Sequence, residues 1–554
     1  MCENMNCMTV IVGKAASQTG HVLVAHNEDD PGHVVVRHAY VPCADHAAGE
    51  LIPCEEGLAS IPQVSHTLGF YWSEFVAEKG GLTAADAFYN DCGVVITSNS
   101  MGDSKEDSED PSVVKNGGLG YVLRRALAER AQSARDGARI LMELINEWGY
   151  APSGRAYTIA DKDEAFMFQL VRGRHYIGAR IPDDAVAVMP NHYNFHTLSD
   201  CPEMFYPEDI VSYAVQKGWY DPSLGTFDFA DAYQAEASWH NRGNTLRQQY
   251  GQAIILDRKW DWTKDGLPFC VFPDRKIGID TLAEVMSTHY KGTDDDVDFY
   301  GPGLSPHYAP YKKGTRRICT GTTLESAIYE LAEEAKETKV YVCMGRPCQV
   351  PYFPIKPLKQ LPESMKENVD ASEMLKTHLN PHSGVTEASK TLRGRFRFLC
   401  CRQEMIFDRA ADKMLPVLKG ILNEGKQRND YDAFMLEALN EVENFVKDNF
   451  EDTGLIKIEA LERSTENVTV AFEAKEAPAE DTLCFGIEFT QMIEAFSKAT
   501  PGSLHLNPDG LWTAVFPLKP MLDLLPFSGK QEMWLGGRTE GGKSFACCGV
   551  VNII

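Results

Sequence analysis

The chain has no C-x-x-C pair and no H-E-x-x-H, so the two commonest sequence signs of zinc are missing. His192 and His196 do stand four apart in NHYNFH, but without a third ligand they read as incidental. No metal and no cofactor are therefore expected, and a chelator should leave activity unchanged. No run approaches the roughly 18 consecutive apolar residues of a membrane span. The opening MCENMN has neither the basic n-region nor the apolar h-region of a secretory signal. Positive charge is scarce: 54 Lys and Arg face 79 Asp and Glu, a net charge of −25. Phosphate-binding surfaces need the opposite excess, so nucleic acid and anionic membrane are excluded as partners. The 15 cysteines, scattered except for the adjacent pairs Cys400–Cys401 and Cys547–Cys548, are not the disulfide framework of a small secreted domain. A reducing, cytoplasmic location is expected. There is no internal repeat, and no extended low-complexity segment beyond the proline-punctuated VPYFPIKPLKQLP (350–362).

What is present is ordinary globular composition, 44% hydrophobic and 24% charged, with 554 residues to bury a sizeable core. MTVIV (8–12) and HVLVAH (21–26) are β-branched runs separated by the turn-like GKAASQTG, which predicts a β-hairpin. Folding about Ala16 or Ser17 makes partner numbers sum to about 33 or 34 and sets Cys7 opposite His26 or Asn27. CGVVITSNS (92–100) predicts a further strand, and GDSKEDSEDP after it a solvated loop. Apolar residues at three- and four-residue spacing from Leu123 to Ile145 predict amphipathic helix, broken near Ser133 to Gly137 and closed at Gly149. RAYTIAD, AFMFQLV, HYIGARI and AVAVMPN read as a strand meander against that helical layer. Strands, helices, then strands again indicate an α+β architecture rather than a parallel βαβ sheet. Further on, 322–337 reads as helix, 338–345 as a buried strand, and 403–425 and 431–450 as helices with Pro416 as a kink. From about Asp452 the pattern turns strand-like, which predicts a separate β-rich module.

Two cysteines flank the start, Cys2 and Cys7. A cysteine heading a buried strand is by default a small core residue. If Cys7 becomes N-terminal, however, its own α-amine, with a reference pKa near 7.7–8.0, can deprotonate its thiol without a histidine. Asp29, in HNEDD (26–30), is placed to hold that amine, although a turn carboxylate explains many such stretches.

These residues resemble the start of the dipeptidase A family of cysteine N-terminal-nucleophile hydrolases. The likeness rests on CMTVIVGKAAS (7–17) with Asn27-Glu28-Asp29 and continues through Asn90-Asp91-Cys92-Gly93-Val94 and the helical segment to Tyr150. YTIAD with ARIPDDAVAVMPNH follows, then Asn244-Thr-Leu-Arg247, His289-Tyr-Lys-Gly-Thr293 and VYVCMGRPCQVPYFP, in the family's order over residues 7 to 355. The resemblance favours Cys7 over Cys2. It implies a propeptide, residues 1–6, removed at Asn6–Cys7, and a four-layer αββα sandwich over 7–450, with the β-rich module at 452–554 as an addition. It further implies a small peptide substrate cleaved through an acyl-enzyme. By analogy with bile salt hydrolases and penicillin V acylases, Asn90 and Asn191 would face the oxyanion and Arg247 would support Cys7. His26 and Asn27 would face the substrate. The family commonly has arginine where this chain has His26, so either the histidine substitutes or another arginine, such as Arg242, fills the space. An acylase acting on a non-peptide amide, or a non-catalytic binding relative, would share this fold. Whether the chain forms a homo-oligomer is left open.

Overall fold

The computed structural model describes residues 7–29, 34–52, 54–77, 84–106, 110–239, 241–295, 307, 316–358, 361–366, 392, 395–396, 399–400, 403, 410–456, 458, 460–486, 496–519 and 529–554. The expected propeptide, residues 1–6, lies outside them, as does part of the helix expected from 403. Among the described residues, no helix is long and apolar enough to cross a membrane.

Strand β1 (Met8–Val12) and strand β2 (Leu23–Asp29) form the expected antiparallel hairpin. They sit inside a seven-stranded sheet, between Val186–Met189 on one side and Thr323–Glu330 on the other. The register is Met8↔Asn27 and Thr9↔His26, so partner numbers sum to 35 and Cys7 stands across from Glu28. The expectation was off because the turn is longer than assumed. Ala15 and Ala16 leave the hairpin to bond Asp183 O, and Gln18 bonds Ile277 O, which moves the centre toward Gln18.

An eight-stranded sheet faces the first one. Tyr89 from this second sheet donates its hydroxyl to Thr338 Oγ1 at 2.7 Å, and Thr9 of β1 reaches its strand Val95–Ser100. Helix α1 (Val122–Arg130) packs on the strands Ala84–Asn90 and Val95–Ser100, and helix α2 (Ala134–Trp148) on Tyr150–Ala160 and Ala165–Gly173. The break between them is the predicted one: Ser133 caps α2 by accepting from Asp136 N. Gly149, at φ 75°, ends it in a conformation that suits glycine. On the outer face of the other sheet, helices Arg242–Leu256 and Ile279–Ser287 pack together and against Val186–Met189, β2 and Thr323–Glu330. The result is mixed helix and sheet, as the α+β reading expects.

Three expectations are corrected. Residues 322–337 are not helix; Thr323–Glu330 is a strand, followed by a short turn at Ala335–Glu337. Lying between β2 and Lys339–Cys343 and buried on both faces, it has no alternating pattern to separate it from a buried helix. Val186–Met189 does not continue the meander but crosses to pair with β1. The loop after Ser100 is not wholly solvated, because Glu106 is buried and accepts from Lys217 Nζ at 2.8 Å.

Beyond helix Tyr431–Asn449, strands from Phe450 onward make a six-stranded and a three-stranded sheet. They enclose their own apolar cluster, which includes Val470, Phe472, Phe485, Phe516 and Phe545. Cys484 and Trp534 instead join the main core.

Candidate active site

β2 begins Leu-Val-Ala and ends His-Asn-Glu-Asp, and all seven residues are buried. Four polar side chains sealed from water require partners inside the protein. Because side chains alternate along a strand, His26 and Glu28 share a face with Thr9 and Cys7 across the register, while Asn27 and Asp29 share the other.

On the first face Cys7 is fully buried and its Sγ donates to Glu28 Oε1 at 3.2 Å. Glu28 Oε2 lies 3.2 Å from His26 Nε2, and His26 Nδ1 lies 2.9 Å from Thr9 Oγ1. Thr9 in turn donates to Asn99 Oδ1 at 2.6 Å, while Asn99 Nδ2 donates to Met189 O at 3.1 Å. Deeper in the second sheet, Asp86 is held by Arg124, Arg155 and Ser98. Burial, then the Glu28 and Asp86 charges, push the Cys7 thiol well above its ordinary range, so in this state it keeps its proton at neutral pH. Burial pushes His26 down to about 4, leaving it neutral. A neutral imidazole fixed between a hydroxyl and a carboxylate does not replace an arginine fork. Nor does Arg242 fill that space, since it is half-exposed and paired with Asp295 at 2.6 Å. The arginine within electrostatic reach of both His26 and Cys7 is Arg155.

On the second face Asn27 gives its amide hydrogens to Met286 O at 3.0 Å and Ile318 O at 3.3 Å. Both amide hydrogens thus go to backbone carbonyls, a positioning role rather than the substrate contact expected. Asp29 accepts from Thr323 Oγ1 at 2.6 Å and from Arg316 Nη2 at 3.2 Å. Burial pushes its carboxyl up, and Arg316 and Thr323 oppose that.

Arg247 is no surface helix arginine. It is fully buried, donates from Nη1 to Cys7 O at 3.3 Å and from Nη2 to Asn191 Oδ1 at 2.7 Å, and also bonds Asn244. Burial, then the neighbouring Arg316, lowers it to about 10, still charged at neutral pH. Asn191 Nδ2 donates to Ser100 O at 2.6 Å, which sets it beside Asn99. Each of these two amides has one Nδ2 hydrogen beyond the bond named.

Asn90 is elsewhere. Its Nδ2 donates to Ala128 O at 3.1 Å and Ala131 O at 2.7 Å, and its Oδ1 accepts from Cys92 N and Val94 N. It ties the strand turn to the end of α1, and no amide hydrogen is left for an oxyanion; Asn90 stands opposite Val94, so by strand rise Asn99 lies roughly 17 Å further along the sheet. The oxyanion assignment of Asn90 is therefore corrected. Glu28 and Asn99 are the site residues that sequence reasoning missed. The signal for Glu28 was parity with Cys7 and Thr9 once the register is set; Asn99 lies on a strand of the other sheet and left none. His192 and His196 face different partners, Gln248 and Asp228, and form no metal pair.

A thiol, a buried cation on its carbonyl and two amides beside it are equipment for acyl transfer. The class is narrowed by similarity to known proteins. The chain belongs to Peptidase family C69, whose model it matches over residues 6–372. It is 26% identical over 368 residues to a protein named probable dipeptidase from Salmonella dublin, which spans 63% of this chain and 80% of that one. It is 25% identical over 325 residues to a dipeptidase of Bifidobacterium longum, covering 53% and 60%. A variant of the conjugated bile acid hydrolase from Clostridium perfringens aligns over 64% of this chain and 94% of its own, at 10% identity and a TM-score of 0.30, too slight a likeness to carry an argument.

Proposed function

We propose that this protein is a metal-independent cysteine dipeptidase, cytoplasmic and of the N-terminal-nucleophile type, with Cys7 as nucleophile once cleavage at Asn6–Cys7 frees its α-amine. The observation that carries the reading is Cys7 itself, at the head of β1 with its carbonyl on Arg247 and its thiol on Glu28. Membership of a peptidase family, and relatives named dipeptidase, support the choice of substrate. The two facing sheets with helices on both outer faces fit the four-layer αββα sandwich of such hydrolases.

In this reading the α-amine takes the thiol proton and the sulfur attacks the scissile carbonyl. Asn99 and Asn191 donate to the resulting oxyanion, each worth on the order of 3 kcal/mol to the transition state. The amine then protonates the leaving amino acid, and water resolves the acyl-enzyme by the same steps. Asp29 orients the amine, and Arg247 fixes the Cys7 carbonyl so that amine and thiol keep their geometry. A panel of dipeptides beside N-acylated amino acids tests the substrate. Turnover of free dipeptides with release of both amino acids is expected; cleavage confined to the acylated compounds would make the protein an acylase instead, and no turnover of either would favour a binding relative.

The same reading divides the chain into propeptide 1–6, hydrolase domain 7–450 and module 452–554. The separate apolar cluster of the C-terminal sheets supports the division. A chain ended at Asn449, ahead of the strand Phe450–Leu455, is expected to be soluble and to retain native circular dichroism and dipeptide turnover. Insoluble product would mean that the C-terminal strands complete the main core, with Trp534 and Cys484 as the shared residues.

A further inference from the structure

Beside Asp29, four side chains converge, three from the segment between Ser287 and Thr323 and one from the loop after Cys343. They are His289, His307, Cys319 and Cys348, and one ligand atom of each lies within 4.8 Å of all the others. His307 Nε2 is 3.1 Å from Cys348 Sγ and 3.4 Å from Cys319 Sγ, and the two sulfurs are 3.6 Å apart. Around a tetrahedral zinc, with Zn–S near 2.3 Å and Zn–N near 2.0–2.1 Å, donor atoms stand roughly 3.3–3.8 Å from one another. Two of these three spacings fall in that range and the third, 3.1 Å, is a little shorter, while the sulfurs are far too distant for a disulfide, in which they are about 2.05 Å apart. His307, Cys319 and Cys348 are buried, and Nε2 of His289 is a buried nitrogen with no hydrogen-bond partner among the described residues.

We propose that these four residues bind one zinc(II) ion in a structural Cys2His2 site. Four protein donors close the tetrahedron, which leaves no position for water or substrate and keeps the metal out of the hydrolytic chemistry. Both cysteines bind as thiolates, so zinc binding releases whatever thiol protons remain to solvent, and the bound centre is neutral. Neutrality suits a site this deep beside the buried charges of Arg316 and Asp29.

The ion would clamp these two segments together at the points where they hold the second face of β2. Next to His289, Tyr290 donates its hydroxyl to Arg316 O at 2.6 Å. Next to Cys319, Ile318 O accepts from Asn27, and within the same loop Arg316 reaches Asp29. Two residues before Cys348, Arg346 donates to Gly321 O at 2.6 Å. Among the described residues, every side-chain hydrogen-bond partner of Asn27 and Asp29 outside helix Ile279–Ser287 thus lies within a few residues of a proposed ligand. Sequence motifs miss the set because Cys319 stands 12 residues after His307 and 29 before Cys348.

The test is the metal content of the untagged full chain, purified without chelator and measured by inductively coupled plasma mass spectrometry. About one zinc per chain is expected, and a Cys319→Ser, Cys348→Ser double variant should lose it. In case that variant fails to fold, the wild-type chain reconstituted with cobalt(II) gives an independent readout. Intense ligand-field bands of a tetrahedral ion together with a thiolate-to-cobalt charge-transfer band are expected. The proposal is overturned if the wild-type chain holds less than about a tenth of a zinc both as isolated and after incubation with zinc(II). It is equally overturned if cobalt gives only the weak spectrum of an octahedral oxygen site, or if peptide mapping finds Cys319 and Cys348 joined as a disulfide. None of these readings depends on whether the protein cleaves dipeptides.

Discussion

Cys7→Ser and Cys7→Ala abolish dipeptide turnover, by on the order of 10⁴-fold or more, and leave the N-terminus unprocessed or inactive, whereas Cys2→Ser changes neither. Steady-state kinetics follows the first effect, and intact mass with N-terminal sequencing the second. The size of the expected loss comes from the thiol itself: among the described residues that share the face, Glu28 and His26 carry no thiol or hydroxyl, and the Thr9 hydroxyl already donates its proton to Asn99 Oδ1. The raised thiol pKa sharpens the expectation. With its amine still bound in a peptide bond, Cys7 lies against a carboxylate that disfavours thiolate, so an uncleaved chain should be silent. Equal effects of the Cys2 and Cys7 substitutions would remove the propeptide from the account.

The second large effect separates two asparagines. Asn99→Ala should lower kcat by on the order of 10²- to 10³-fold with little change in KM, the behaviour of a donor that acts on developing charge. Asn90→Ala should leave kcat per folded molecule near wild type but lower stability by about 1–3 kcal/mol, because two carbonyls and two backbone N–H groups lose their buried partner. Denaturant melts read beside kinetics distinguish the two. A kcat collapse in Asn90→Ala with unchanged stability would restore the assignment that the structure corrects.

Those asparagines also mark how far the sequence could be read. The hairpin, the split helix with its cap at Ser133 and the family likeness were legible because each depends on local pattern: β-branched runs, apolar spacing, short motifs. Cys7, Asp29, Asn191 and Arg247 were singled out through that likeness, and the structure joins Arg247 to both Cys7 and Asn191. What could not be read were quantities set at long range. Two residues of extra turn shift the hairpin register and bring Glu28, not His26 or Asn27, opposite Cys7. Thr323–Glu330 has helix-favouring composition, yet two flanking strands overrule it. Asn90 sits in a recognisable motif, but which end of a strand faces the nucleophile is decided by how the two sheets stack, and that leaves no trace in one segment.

The separations in sequence also set a timetable for biosynthesis. The Cys7 carbonyl waits for Arg247, 240 residues on, and Asp29 waits for Arg316 and Thr323, 287 and 294 residues on. A nascent chain emerges from the ribosome at about 5–20 residues per second, so for tens of seconds the hairpin exists without the groups that complete it. Contacts of such span must close large loops before they stabilise anything. A translation product truncated before Thr323 therefore carries Cys7 but not the full setting of Asp29, and is expected to be without hydrolase activity.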